Sequence, residues 1–335
     1  MTLDVDSDFS GRTVLVTGAG GFIGGHLTAR LVAAGARVRG LIRYNSRNDW
    51  GTLEWLDEPI RTEIEVVLGD LRDIETLTRS VKGVETVFHL AAQIAIPYSY
   101  VNPRDFFETN VLGSLNVAQA ALAEGVSRVI HTSSSEVYGT AQSVPITEDH
   151  PLEAQSPYAA SKVGADTLML AFNHSYDLPV TVLRPFNTYG PFQSPRAVIP
   201  TILLQALNGG SVRLGSLHPV RDLTYVSDTV GGFLAVARSP ETVGMTLQLG
   251  TGDELSVEQI VEAAGEVVGR PLTVERDPER VRPPSSEVDR LISSPDRVRS
   301  LTGWTPLVGL RDGLERTLEW LSSSPWQQRA SQYVI

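Results

Sequence analysis

Residues 13–27 read TVLVTGAGGFIGGHL, passing from a β-branched run through a glycine turn into a helical pattern. Gly18, Gly21 and Gly24 form G-x-x-G-x-x-G. The first glycine allows the tight turn, the second lets backbone approach a pyrophosphate, and the third lets the helix close on the strand. The helix start at Phe22 and Ile23 then offers free amides and the positive end of a dipole to an anion. A glycine pattern alone is weak evidence, because glycine-rich turns are common. The strand before it and the helix after it make this one a dinucleotide-binding element.

Outward from that element the alternation continues. Strand patterns occur at 37–43, 64–68, 86–90, 128–133 and 180–184, and helix patterns at 22–34, 74–81, 106–124 and 157–176. Strands separated by helices of this length make right-handed βαβ units. The fold expected is α/β, a doubly wound parallel sheet of the Rossmann kind, with a smaller C-terminal substrate-binding domain interleaved with it. After Arg184 prolines and glycines loosen the pattern, with helix patterns at 198–207 and 226–237 and a strand at 246–249. A chain of 335 residues suits about two domains. Residues 11–185 and 223–250 are assigned to the nucleotide-binding domain. Residues 186–222 and 251–322 go to the substrate domain, and 323–335 form a frayed polar tail.

Composition excludes several classes. Hydrophobic residues are 41% and charged residues 20%, an ordinary soluble globular balance. The net charge of −11 argues against nonspecific nucleic-acid binding, which needs basic surface. There is no cysteine, hence no disulfide or thiolate chemistry. No apolar run reaches the roughly 18–20 residues that span a bilayer. The acidic start MTLDVDSDFSGR lacks the features of a signal peptide, so a cytoplasmic location and no membrane partner are expected. The six histidines show no metal-ligand spacing, and no metal is expected.

Of 28 basic residues only Lys82 and Lys162 are lysines. Lys162 closes Tyr158-Ala-Ala-Ser-Lys162, a Y-x-x-x-K whose i,i+4 spacing puts both side chains on one helical face. An ammonium beside a phenol favours the phenolate, making Tyr158 a candidate base near neutral pH. Lysine supplies a compact ammonium that arginine does not, which explains its retention in an arginine-rich chain. Upstream, Thr132-Ser-Ser-Ser-Glu136 leaves a parallel strand at its carboxyl end, where such folds hold ligands. Ser134 is placed to bond a substrate hydroxyl as Tyr158 deprotonates it. Glu136 adds an acid/base group that simple hydride shuttling does not require.

Cofactor choice turns on the end of the second strand, where an acidic residue would favour NAD. Arg43 stands there instead; it can pair with a 2′-phosphate or stack on adenine, so NAD or NADP remains open with a tilt towards NADP. Asp70 and Leu71 are placed to meet the adenine. Leu90, Ala91 and Ala92 would line the path to the nicotinamide ribose.

With TGAGGFIG, GDL (69–71), HLAA (89–92), SSSEVYG, SPYAASK, RPFNTYGP (184–191), RDLTYVSD (221–228) and GWTP (303–306) assembled, the chain resembles the extended short-chain dehydrogenase/reductase family of nucleotide-sugar epimerases and dehydratases. The resemblance covers roughly residues 12–322. It is closest to the 4,6-dehydratases of legionaminic-type pathways, through RYNSRNDWG, SSSEVYG and AQSPYAASK. That resemblance implies a tightly bound, recycled NAD(P), a nucleotide-diphosphate sugar as substrate and a homodimer. It gives Tyr158 the C4 hydroxyl proton, Lys162 the nicotinamide ribose and Glu136 the C5 proton. Many glucose-type members carry Asp at the position before the glutamate; this chain has Ser135 there, as GDP-mannose-type dehydratases do, so the C6 acid is unassigned, with Glu136 or a relayed water available. Asn187 and Arg221 would meet the diphosphate and Arg282 the nucleotide, with Arg196, Val198, Pro200 and Arg213 as further contacts. The alternatives are a uronic-acid decarboxylase, a C4 epimerase, or a non-catalytic NAD(P)-binding protein on the same fold. Apolar residues on 106–124 and 157–176, such as Val117, Ala121, Val163, Leu168 and Leu170, would build the dimer's four-helix interface.

Overall fold

The computed structural model describes residues 7–280 and 286–329. Fourteen strands and twelve α-helices follow one another among the described residues. The first six strands are β1 (Thr13–Thr17), β2 (Arg37–Ile42), β3 (Ile64–Leu68), β4 (Thr86–His89), β5 (Arg128–Thr132) and β6 (Val180–Pro185). Shorter strands follow: β7 (Asn187–Tyr189), β8 (Ser211–Leu214), β9 (Val220–Arg221), β10 (Leu223–Tyr225), β11 (Thr246–Leu249), β12 (Leu255–Ser256), β13 (Thr273–Arg276) and β14 (Arg290–Leu291). The first seven helices are α1 (Phe22–Ala33), α2 (Glu58–Arg61), α3 (Ile74–Val81), α4 (Ile96–Val101), α5 (Pro103–Phe107), α6 (Gly113–Ala123) and α7 (Pro157–Tyr176). The rest are α8 (Val198–Asn208), α9 (Val226–Arg238), α10 (Val257–Val268), α11 (Asp296–Thr302) and α12 (Leu310–Ser323).

Seven strands make one sheet, in the order β11-β6-β5-β4-β1-β2-β3, every pair parallel. Buried on both faces, β4 and β6 read as continuous runs rather than alternating ones. One face is covered by α1, α9 and α11 through Leu27, Leu31, Phe233, Leu234 and Val298. The other is covered by α3, α6 and α7 through Leu77, Val117, Ala121 and Met169. Strand order reverses between β1 and β4, so the carboxyl ends of these strands open a crevice where such folds bind ligands. A third core, with Ile202, Leu203, Ile260, Leu314 and Leu321, ties α8, α10 and α12 to the short strands.

The doubly wound sheet is the one expected, and the short strand pairs β13–β8, β10–β7 and β12-β9-β14 are additions. Strands of two to four residues show no period to read. The helix expected over 106–124 begins at Pro103 and carries a wide π turn at Glu108–Leu112. That turn places Asn110 inward, where its amide donates to Gln93 O and Ser161 Oγ and its oxygen accepts from Gln93 N. Such bulges are frequent at functional sites. Val117 and Ala121 are fully buried against the sheet, so neither faces a partner; Phe107, Leu112 and Leu122 are the exposed large apolar residues on that helical run. The tail does not fray at once: Pro325–Arg329 form a 3₁₀ turn, and Trp326 packs on Trp55 at 5.6 Å. No helix among the described residues is long and apolar enough to cross a membrane.

Candidate active site

The glycine turn is held by contacts that side chains would break. Gly18 sits at φ +73°, and a Cβ there would lie 2.8 Å from Ala91 N. A Cβ on Gly24 would lie 2.1 Å from Gly18 O, so α1 seats on β1 only because that position is bare. Gly21 caps α1 without a side-chain acceptor, leaving the first-turn amides at Phe22 and Ile23 to an outside anion.

Thr17, at the end of β1, braces the neighbouring loop: its Oγ1 accepts from Leu90 N and Ala91 N, each at 3.1 Å. Its own proton is therefore left for His89 Nδ1 at 2.8 Å. His89 then donates from Nε2 to Ser114 Oγ at 3.0 Å, which donates to Asn110 O at 2.6 Å. Burial keeps His89 well below the usual histidine range, so it remains neutral in this chain of donors. Leu90, Ala91 and Ala92 are thus held, half-buried, beside the glycine turn.

At the adenosine end the Arg43 side chain is mostly exposed and lies 3.7 Å from Asp70 Oδ2. Asp70 is gripped by Arg72, whose Nε and Nη2 donate to its two oxygens at 2.9 and 2.7 Å, and this pairing lowers its pKa. The Leu71 side chain is buried in the core below, and its carbonyl accepts from Asn116 Nδ2 at 2.9 Å.

The acid/base groups converge at the end of β5. Ser156 caps α7 by accepting from Ala159 N at 3.1 Å, and Pro157 fixes the first turn, so Tyr158 enters the crevice one residue into the helix. Tyr158 is buried and hydrogen-bonded by Ser134. Ser134 Oγ accepts from Glu136 N at 3.2 Å, opening the 3₁₀ turn Ser135–Tyr138. Ser135 is buried, and Glu136 is half-buried on the same turn. Lys162, 4% exposed, donates to Thr132 O at 2.6 Å. Its pKa is pushed down to about 8 by burial, against the pull of Asp166.

The Tyr158 hydroxyl departs from expectation: burial pushes it up to about 12, and the charges of Glu136 and Asp166 raise it while Ser134 lowers it. Desolvation and two carboxylates outweigh the nearby ammonium.

On the substrate side Asn187 opens β7 half-buried, and its Nδ2 is buried with no partner among the described residues. Arg221 on β9 donates to Val220 O at 3.0 Å and lies 3.8 Å from Glu287. Arg196 is exposed and folds onto Ser194, Val198 is half-buried, and Pro200 is buried within α8. Arg213 is exposed on β8 and pairs with Asp277 at 3.6 Å. Arg282 lies outside the described residues.

Residues 15–317 match the family profile described as GDP-mannose 4,6 dehydratase. The chain belongs to this family. It is also 36% identical to a UDP-glucose 4-epimerase of Mycolicibacterium smegmatis over 91% of its length and 97% of that protein's. It is 31% identical to a dTDP-glucose 4,6-dehydratase of Xanthomonas campestris, covering 94% and 95% of the two chains. The crystal structure of a DesIV double mutant, a dTDP-glucose 4,6-dehydratase from Streptomyces venezuelae with NAD bound, superposes with TM-score 0.85 at 31% identity, over 95% of this chain and 99% of that one. The extended short-chain dehydrogenase/reductase family, its Rossmann fold and its nucleotide-sugar chemistry are therefore established for this chain at the level of dehydratase or epimerase.

Two residues escaped the sequence reading. Gln193 donates to Thr188 O at 2.8 Å and leaves its Oε1 buried with no partner among the described residues, close in sequence to Asn187. Asp166, one turn beyond Lys162, is 1% exposed; a carboxylate inside an otherwise apolar stretch of helix was the available signal.

Proposed function

We propose that this dehydratase/epimerase relative is a nucleotide-sugar 4,6-dehydratase using NAD. The observation that carries the reading is Glu136: a half-buried carboxylate on the turn that begins at Ser134, near enough for its charge to raise the Tyr158 hydroxyl. Oxidation at C4 needs one base; elimination across C5 and C6 needs a second, and this site holds both.

The residues present fit a dinucleotide: the glycine cradle excludes side chains, the α1 amides are uncapped, and Thr132 Oγ1 is buried with no partner among the described residues. The bound dinucleotide would supply a hydride acceptor regenerated within each turnover. NAD is favoured over NADP because the similar structures of a dTDP-glucose 4,6-dehydratase and a UDP-glucose 4-epimerase hold NAD. Beside the positive charge of an oxidised nicotinamide, the Tyr158 hydroxyl would fall from the raised value it has in the protein alone. Tyr158 would then take the C4 hydroxyl proton, with Ser134 orienting that hydroxyl and Lys162 holding the ribose. Glu136 removes the C5 proton made acidic by the new ketone. Ser135 offers no carboxylate, so Glu136 returns that proton to the C6 hydroxyl as it leaves as water; C6 would then take back the hydride while C5 takes a new proton from solvent through Glu136. Asn187 and Arg221 hold the diphosphate, Arg221 through the planar fork that suits paired oxygens. This division of labour assigns 11–185 and 223–250 to the cofactor, and 186–222 and 251–322 to the nucleotide sugar.

The second reading is C4 epimerisation, favoured by the 36% identity to an epimerase and by serine at 135. The purified enzyme, given a panel of nucleotide sugars, separates them by product mass. Loss of one water supports dehydration, an unchanged mass supports epimerisation, and loss of carbon dioxide from a uronic acid would overturn both.

We also propose a homodimer through the face bearing Phe107 and Leu112, the two most exposed large apolar residues of that helical run.

A further inference from the structure

Behind the acid/base groups lies a buried charge cluster for which the reaction scheme has no use. Asp166 sits four residues after Lys162 on α7, so both project from one face of the helix. Its Oδ2 accepts from Arg184 Nε at 3.1 Å, Arg184 Nη2 at 3.0 Å and Ser133 Oγ at 2.7 Å. Its Oδ1 faces His131 Nε2 at 3.4 Å. Arg184 continues the network to Tyr138 OH at 2.9 Å, which also accepts from Gln248 Nε2 at 2.7 Å. All six residues are buried.

We propose that Asp166 is a positioning residue: anchored by Arg184 and Ser133, it keeps Lys162 charged and holds the end of β5 in register with α7. The inference rests on the assignment of Lys162 to the cofactor ribose. Its two grips act on both sides of the site. Ser133 is the residue before Ser134, so the bond from Ser133 Oγ fixes where β5 hands over to the serine that bonds Tyr158. Thr132, one residue earlier, accepts from Lys162 through its backbone carbonyl, which carries no formal charge.

The groups around Lys162 leave Asp166 as the source of negative charge deep in the site. His89 on β4 is neutral through burial. His131 on β5 is lowered by burial, although Asp166 opposes this. Tyr158 on α7 is pushed towards its protonated form, and Arg184 on β6 is a cation. Glu136 lies on the turn beyond Tyr158 and acts on that hydroxyl. Burial works against the Asp166 carboxylate too, but His131, Arg184 and Lys162 together hold its pKa below the usual value. A buried ammonium with no anion at hand sheds its proton.

Because the chain has only two lysines, protein labelled with carbon-13 at lysine Cε gives two resonances, Lys82 exposed and Lys162 buried. Titrating the wild-type protein is expected to show Lys162 with its midpoint at about 8. Asp166→Asn should lower that midpoint by about one unit or more, the range an adjacent opposite charge supplies, and Asp166→Glu should restore it. Asp166→Asn leaves Arg184 without its charged partner and threatens folding, so the double variant Asp166→Asn/Arg184→Gln serves beside it. That variant should show a smaller lowering, because Asp166 acts on Lys162 directly while loss of the Arg184 cation offsets part of the change. In turnover, the alkaline limb of the pH–rate profile should move down by the same interval, whereas a purely structural defect would lower the rate evenly across pH. A Lys162 midpoint unchanged in either folded variant overturns the proposal. The titration uses no substrate, so it stands apart from the reaction: wild type inert towards every nucleotide sugar would defeat the proposed function and leave the midpoint shift to be read on its own.

Discussion

Replacing Gly24 by alanine tests the dinucleotide cradle at its tightest point. The new Cβ would lie 2.1 Å from Gly18 O, 2.9 Å from Gly18 C and 3.2 Å from Ala19 Cα. Ordinary contact begins near 3.4 Å, so the turn must retreat by about 1 Å or more. Every clashing atom is backbone, and no rotamer change relieves it. Overpacking of this kind costs about 1–3 kcal/mol. Each charge-assisted hydrogen bond lost to a displaced diphosphate adds about 1.5–3 kcal/mol. Alanine's better helix propensity returns only about 1 kcal/mol. The overpacking and propensity terms fall on stability; loss of one or two of those hydrogen bonds, about 3 kcal/mol, lowers NAD affinity roughly 100-fold. Calorimetric titration of cofactor-stripped protein with NAD measures it, with circular dichroism confirming that the sheet persists. Affinity within about threefold of wild type in a folded variant would refute the cradle.

Tyr158→Phe should cut turnover about 10²–10⁴-fold with NAD binding kept, and a rate within about threefold of wild type would remove Tyr158 from the chemistry. With Lys162 at about 8, activity should decline as pH rises through that value, whereas a lysine at its ordinary 10.5 would hold its charge further. Between those values the unfolded chain binds the proton and the folded one does not, so stability should rise with pH where activity falls; rate and melting profiles moving together would contradict this. Leu112→Asp should convert the proposed dimer to a monomer by light scattering at micromolar concentration; a monomeric wild type would overturn the dimer, and an unchanged dimer mass in the variant would place the interface elsewhere.

The sheet was legible because its strands and helices are long enough to show their periods. The glycine turn, Tyr158, Lys162 and Glu136 carried signals in spacing and residue type. The strands of the substrate side are two to four residues long and pair across large separations, so no local pattern announces them. The ionisation of Tyr158 was misjudged because spacing showed the lysine but not the burial and the carboxylates that outweigh it. Val117 and Ala121 illustrate the same limit: an apolar residue on a helix suits a sheet or a partner equally well until the sheet is placed. Asp166 was visible as a charge one turn beyond Lys162, yet its partners come from β5 and β6, which only the fold brings together.

The central claim is that Glu136 takes the C5 proton in a dehydration. Running wild-type enzyme and Glu136→Gln with an accepted nucleotide sugar in deuterium oxide tests it directly, since the amide keeps the shape but accepts no proton. Wild type should release a product that has lost one water and carries deuterium at C5, because C5 takes its new proton from solvent, while the variant should halt with the cofactor reduced and no exchange at C5. Exchange at C5 in the variant at the wild-type rate, or a wild-type product of unchanged mass, would contradict the account.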